Sequence, residues 1–193
     1  MRTFSRQFLA ATRAFLVLSV LLGLAWPFAF TGVAQVVAPR QANGSLVRTA
    51  DGTVVGSSLL GQKAEGPQWF AARPSDSEYA GDTSGSGNLS PVSADHLKTV
   101  QERRDALTKA NPDARGPIPA DALSASSSGL DPHISPEYAA WQTPRVAKAR
   151  GMSEADVAAV VARHTQGRTL GFLGQPRVNV TELNADLAGS ARG

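Results

Sequence analysis

Between Arg13 and Arg40 the chain carries no charge: AFLVLSVLLGLAWPFAFTGVAQVVAP. A helix needs roughly 20 apolar residues to cross about 30 Å of hydrocarbon, and this run is long enough. Phe15 to Phe30 is its most apolar part. Trp26 lies toward the far end, where an interfacial aromatic can sit. Pro27 lacks the amide hydrogen a helix interior uses and predicts a kink. Arg2, Arg6 and Arg13 precede the run, and no acid occurs before Asp51. The positive-inside rule therefore assigns 1–13 to a basic cytoplasmic N-terminus, 14–38 to a single transmembrane helix and 39–193 to an exported soluble domain. The rival reading is a cleaved signal peptide, with small residues at both useful positions of Gly32–Ala34. The uncharged run exceeds the roughly 7–15 residues of a signal h-region, which favours a retained anchor. Either way the body is exported.

The exported part is neutral. Lys and Arg number 19 against 16 Asp and Glu. With the three N-terminal arginines set aside, bases and acids balance, and no basic stripe remains for a phosphate backbone. This excludes nucleic acid as the natural partner. The chain has no cysteine, which removes disulfides, thiolate metal sites and a cysteine nucleophile. No G-x-x-x-x-G-K-[ST] loop is present either.

Short elements follow the anchor. Asp51-Gly52 between the apolar runs of NGSLVRTADGTVVGSSLLGQ predicts a hairpin. QWFAAR (68–73) reads as a strand whose Trp69 and Phe70 pack the domain. The stretch 74–91 is poor in apolar residues and rich in Gly, Ser and Asp, so it reads as a long flexible loop. SADHLKTVQERRDALTKAN predicts a helix ended by Asn111-Pro112, with a stripe of Leu97, Val100 and Leu107. SEADVAAVVARHTQG predicts another, capped by Ser153 with Asp156, stopping at Gly167 and burying Val157, Val160 and Val161. His164 reads as a boundary histidine with a satisfied hydrogen bond. RVNVTEL (177–183) predicts a strand running into a helix. Few strands and few helices give an α+β class.

SASSSGLDPHISPEYA (124–139) concentrates functional side chains. Asp131, His133 and Ser135 have the composition of a hydrolase triad. Residues two apart on an extended segment are separated by roughly 6.5–7 Å, whereas a working triad needs contacts of about 2.6–3.2 Å. No G-x-S-x-G elbow supports one. Asp131, His133 and Glu137 would supply three metal ligands, but no H-E-x-x-H or paired-histidine spacing joins them. No catalytic or metal residue is assigned. Asp131-Pro132 favours an extended residue, and Ser135-Pro136 fits an N-cap followed by proline at the first helical position. The helix PEYAAWQ then meets Pro144, which is expected to break or restart it. Gly129, Asp131, Pro132, His133 and Ser135 thus form a shaped loop able to hold a ligand or face a partner.

That segment, with QTPRVAKARGM, GSSLLGQ (56–62), WFAARPS (69–75), SGSGNLSP (84–91) and TLGFLGQPRVNVTELN, resembles the C subunit of the bacterial Kdp potassium-transporting ATPase over nearly the whole chain. The resemblance implies a non-catalytic subunit of a high-affinity potassium pump in the cell inner membrane. Its implied partners are a channel-like A subunit that carries potassium, a P-type B subunit that hydrolyses ATP, and a small F subunit. The chain lacks the D-K-T-G phosphorylation motif of the motor. Implied roles are assembly, stabilisation and regulation, including a "catalytic chaperone" role that raises the ATP affinity of the B subunit, with Gln62 as a nucleotide contact. No cofactor is expected to be tightly bound, with ATP entering only through the complex. The expected topology strains the ATP role and favours a domain over the extracellular mouth of the channel subunit. Gly23 and Ala25 are the small residues that would let a partner helix approach the anchor. The competing readings are an exported hydrolase using His133 with a serine and a secreted ligand-binding domain.

Overall fold

The computed structural model describes residues 2–49 and 51–190. Met1 of the predicted N-terminus, Ala50 of the predicted hairpin and residues 191–193 of the predicted exported domain lie outside them. Two compact units divide the chain, Met1–Ser45 and Leu46–Gly193.

In the first unit, α1 (Arg2–Val20) runs through a π-helical turn (Leu21–Ala25) into α2 (Trp26–Val37), followed by the single turn α3 (Pro39–Ala42). Thr3–Val37 is one helix long and apolar enough to cross a membrane, with none of its most apolar window buried. Its large apolar side chains from Phe15 to Phe30 are exposed. Such a helix suits hydrocarbon better than water. Pro27 does not break it. The π turn immediately before the proline, where the Trp26 amide donates to the Leu21 carbonyl, absorbs the missing hydrogen bond and ring. Trp26 stacks on Phe30 one turn later, ring centres 4.5 Å apart. Asn43 closes the unit by donating to the Pro39 carbonyl at 2.7 Å and to Gln35 Oε1 at 3.0 Å.

The second unit is α+β. β1 (Leu46–Arg48) and β2 (Val54–Ser57) form the antiparallel hairpin expected around Asp51-Gly52, with a register irregularity at Val47/Arg48. The Asp51 carboxylate accepts the Thr53 amide across the turn. α4 (Ala94–Ala110) is capped by Ser93 and ends at Asn111. Only part of its predicted stripe is used: Leu107 packs against the core, while Leu97 stays exposed. After α5 (Ala120–Leu123), three very short strands make an antiparallel sheet in the order β3 (His133–Ile134), β5 (Arg177–Asn179), β4 (Thr165–Gln166). α6 (Pro136–Arg150), α7 (Glu154–Arg163) and α8 (Val180–Ser190) enclose a core of Phe70, Tyr138, Val146, Val157, Val178, Leu183 and Leu187, all at most 2% exposed.

Three local expectations are corrected. Residues 68–73 form no strand. The backbone of Phe70 and Ala71 is bonded by side-chain amides: Asn184 accepts from and donates to Phe70 (2.9 Å each), and Gln142 does the same for Ala71 (2.8 and 3.0 Å). Two amides thus replace a neighbouring strand, which satisfies the backbone while Phe70 fills the core. Pro144 does not interrupt α6. It is buried together with Trp141, Gln142, Thr143 and Val146, and this burial offsets the roughly 3 kcal/mol an interior proline costs. α7 ends at Arg163 rather than Gly167, because Thr165 and Gln166 leave the helix to pair with Val178 and Arg177.

Candidate functional site

Ser126 and Ser128 are stitches between loops. The Ser126 amide donates to the Pro74 carbonyl at 2.9 Å, and the Ser128 carbonyl accepts from the Gly85 amide (2.9 Å) and the Ser84 hydroxyl (3.1 Å). From the other side, Ser75 donates to the Gly129 carbonyl at 2.6 Å, with Ser77 3.4 Å from the same oxygen. Ser75 also accepts the Tyr79 amide at 3.0 Å. The stretch 74–91 has no regular structure, but its ends are clasped to this loop. Asp76 adds a second tie, accepting the Gly87 amide (2.8 Å) and pairing with Arg103 (3.1 Å).

Two glycines mark where the backbones come closest. Gly129 has φ +71°, and a Cβ there would lie 2.4 Å from Ser77 Oγ and 3.0 Å from the Gly85 carbonyl oxygen. A Cβ on Gly61, whose amide donates to the Leu130 carbonyl, would lie 2.8 Å from the Asp131 carbonyl oxygen. Only glycine fits such approaches without displacing a neighbouring backbone.

Asp131 is the electrostatic centre of the loop. Its Oδ1 accepts the His133 amide at 2.9 Å and lies 3.3 Å from His133 Nδ1; its Oδ2 pairs with Arg73 at 3.2 Å. Partial burial pushes the Asp131 carboxyl up. The hydrogen bonds from His133 and the charge of Arg73 outweigh that and hold it below the usual carboxylate range. Arg73 also reaches the Ala125 carbonyl (3.2 Å), and its own carbonyl accepts the Tyr79 hydroxyl. Burial, with the nearby Asp131 charge, pushes the Tyr79 phenol up to about 12. Pro132 is buried and its carbonyl accepts the Val180 amide at 2.8 Å. His133 then pairs with Asn179 in the sheet, and Asn179 donates onward to the Ser58 carbonyl at 2.7 Å.

This arrangement is a scaffold rather than a triad. The Ser135 hydroxyl donates to Asp121 Oδ1 at 2.9 Å and accepts the Tyr138 amide at 3.0 Å, capping α6 as expected. It is thereby committed away from His133. Asp121 takes the Ser135 amide as well, at 2.7 Å. Glu137 lies exposed on the first turn of α6. Among the described residues, no group of three or more His, Asp and Glu is placed to hold a metal ion. His164 is the boundary histidine expected, with Nε2 3.0 Å from Asp186.

The remaining sequence-predicted residues lie apart from this loop. Gln62 is exposed, with its amide over Gly56, beside a cleft of about 230 Å³ that Lys63, Trp69 and Asn184 also line. Gly23 and Ala25 fall within the π turn of the apolar helix. A broad open groove of about 1190 Å³ runs between α6, α7 and residues 115–121, walled largely by Ala, Pro and Trp141. The supports Arg73, Ser75, Tyr79 and Asp121 were not legible from spacing, since each meets the loop from a remote segment. Arg73 and Ser75 do belong to the quoted WFAARPS block, which is the one signal that pointed toward them.

Residues 8–189 match the family model described as "KdpC: K+-transporting ATPase, c chain". The chain is 52% identical over 178 residues to the potassium-transporting ATPase KdpC subunit of Sorangium cellulosum, covering 91% of this chain and 93% of the relative. It is 50% identical to that of Geobacter sulfurreducens over 89% of this chain and 92% of the relative. For that of Kineococcus radiotolerans the identity is 52%, over 91% and 90%.

Proposed function

Because the chain belongs to the KdpC family, the C chains of potassium-transporting ATPases, we propose that it is the non-catalytic subunit that assembles and stabilises such a pump from outside the membrane. The observation that carries the reading is that the family match runs unbroken through both units, from the apolar helix to α8. Anchor and domain are therefore taken as one functional object. In this reading the helix spans the inner membrane with its arginine-rich start in the cytoplasm, and Gly23 and Ala25 allow a partner helix close approach. The domain stands over the extracellular entrance of the channel-like subunit. ATP hydrolysis belongs to a P-type partner, and a small fourth subunit completes the complex.

The chemistry of the loop supports a structural role. Ser126, Ser128 and Gly129 are bonded to the 74–91 stretch, and Asp131 and Ser135 are spent on internal bonds to Arg73, His133, Asp121 and the Tyr138 amide. Such a surface is rigid, and rigidity lowers the ordering cost of binding a partner. The nucleotide contact implied for Gln62 ranks second. Its cleft of about 230 Å³ is small beside the roughly 300–1,000 Å³ of sites that enclose a ligand, and ATP lies on the other side of the membrane in this topology. The test is growth at limiting potassium in cells deleted for the chain, with the other pump subunits present. Restoration by the full chain and by Gln62→Ala alike supports the assembly role. Restoration by the helix alone, or by the chain without the other subunits, refutes it.

A further inference from the structure

We propose that the turn Thr169–Gly174, carrying Leu170, Phe172 and Leu173, is a preformed knob that seats in an apolar pocket on another subunit of the pump. The proposal rests on the subunit reading above. Leu170, Phe172 and Leu173 are 77%, 69% and 48% exposed. The other exposed large apolar side chains of this domain come singly, such as Leu59 and Leu97, or at most two within four residues, such as Val54 with Val55 and Leu89 with Val92, which is ordinary for a surface. Three within four consecutive residues form a patch.

The backbone beneath the patch is fixed. Thr169 and Leu173 exchange both of their amide–carbonyl bonds at 2.9 Å, and the Gly171 amide donates to the Arg168 carbonyl at 3.0 Å. Leu170 sits at φ +55°, a left-handed conformation unfavourable for a branched side chain. The domain thus holds a leucine in an unfavourable conformation with no burial of its own to compensate. Strain kept at an exposed position points to a contact made elsewhere.

Charge selects the partner class. Residues 169–174 carry none, and the adjacent Arg168 is tied to Gln175 at 3.1 Å. A membrane surface draws loops through clusters of Lys and Arg, and fluid lipid does not require a rigid turn. An aromatic residue flanked by leucines on a fixed backbone matches the anchor that fills a protein pocket at an interface.

The test places a photoreactive benzophenone amino acid at Phe172, and in a second variant at Val92, in the full chain co-expressed with the other pump subunits. The proposal expects a protein crosslink from position 172 to one of those subunits and none from position 92. It also expects Phe172→Ser to lower recovery of the partner subunits roughly tenfold or more, with the chain still folded. Crosslinks from 172 to lipid alone, to no protein, or at a rate matched by 92 would overturn it while the wild-type complex stays intact. If the wild-type chain recovers no pump subunit, the subunit reading fails and this proposal falls with it.

Discussion

Gly129→Ala is the sharpest probe of the loop. The substitution adds one methyl group, and both of its consequences can be worked out from the structure. Alanine at φ +71° costs about 1–2 kcal/mol in conformation. The new Cβ would lie 2.4 Å from Ser77 Oγ and 3.0 Å from the Gly85 carbonyl oxygen. Ser77 can rotate away, but Gly85 is held by its bond to the Ser128 carbonyl. One or two of the clasping bonds must therefore lengthen, at about 0.5–1.5 kcal/mol each. The total is about 1.5–5 kcal/mol, which for a domain of this size lowers Tm by about 3–20 °C. The assay is thermal unfolding of the full chain in mild detergent, followed by the near-ultraviolet signal of Trp69 and Trp141. Gly116→Ala is the control: that residue has φ +80°, and its Cβ would meet nothing within 4 Å. It should show the conformational cost alone. Equal losses for the two variants would refute the argument that the clasp is a rigid contact.

Gln142→Leu leaves both backbone groups of Ala71 without their partner and removes an acceptor from Arg145 Nη2. The urea midpoint should fall by the equivalent of about 2–5 kcal/mol, whereas Gln142→Glu, which keeps the acceptor, should lie between it and wild type. Acid should destabilise the domain through Asp131 and Asp186. Asp186 is held below the usual range by the His164 hydrogen bond and the adjacent Arg163, against slight burial. A carboxyl depressed in the folded state adds stability above its unfolded value, about pH 4, and loses it as pH falls through the folded value. Tm should therefore change little between pH 7 and 5 and drop below about pH 4. The gap between wild type and Asp131→Asn should narrow over that drop, and a gap constant from pH 7 to 3 would contradict the assignment.

What could be read in the sequence was what local chemistry decides. The apolar run, the Asp51-Gly52 hairpin, the Ser135 and Ser153 caps and the Val157–Val161 face all follow from interactions within a few residues. The misreadings arise where a distant partner decides. The β-rich composition of 68–73 suggested a strand, but the amides of Gln142 and Asn184, over 70 and 110 residues away, satisfy that backbone instead. Pro144 survives in a helix because the surrounding α6 residues are buried with it, and α7 stops early because β5 captures Thr165 and Gln166. The loop 124–135 was visible as a concentration of functional groups. Its character as a clasp was not, because Arg73, Ser75, Ser77 and Asp121 reach it only through the tertiary fold.

The central claim is that this chain acts as one subunit of a potassium pump, and its most direct test is what accompanies it out of the membrane. A C-terminally tagged full chain, solubilised in mild detergent and purified, should carry a channel-like subunit and a P-type ATPase subunit in stoichiometric amounts by mass spectrometry. Its own N-terminal residues should be intact. Recovery of the chain alone, as a soluble protein beginning near Gln35, would contradict the account.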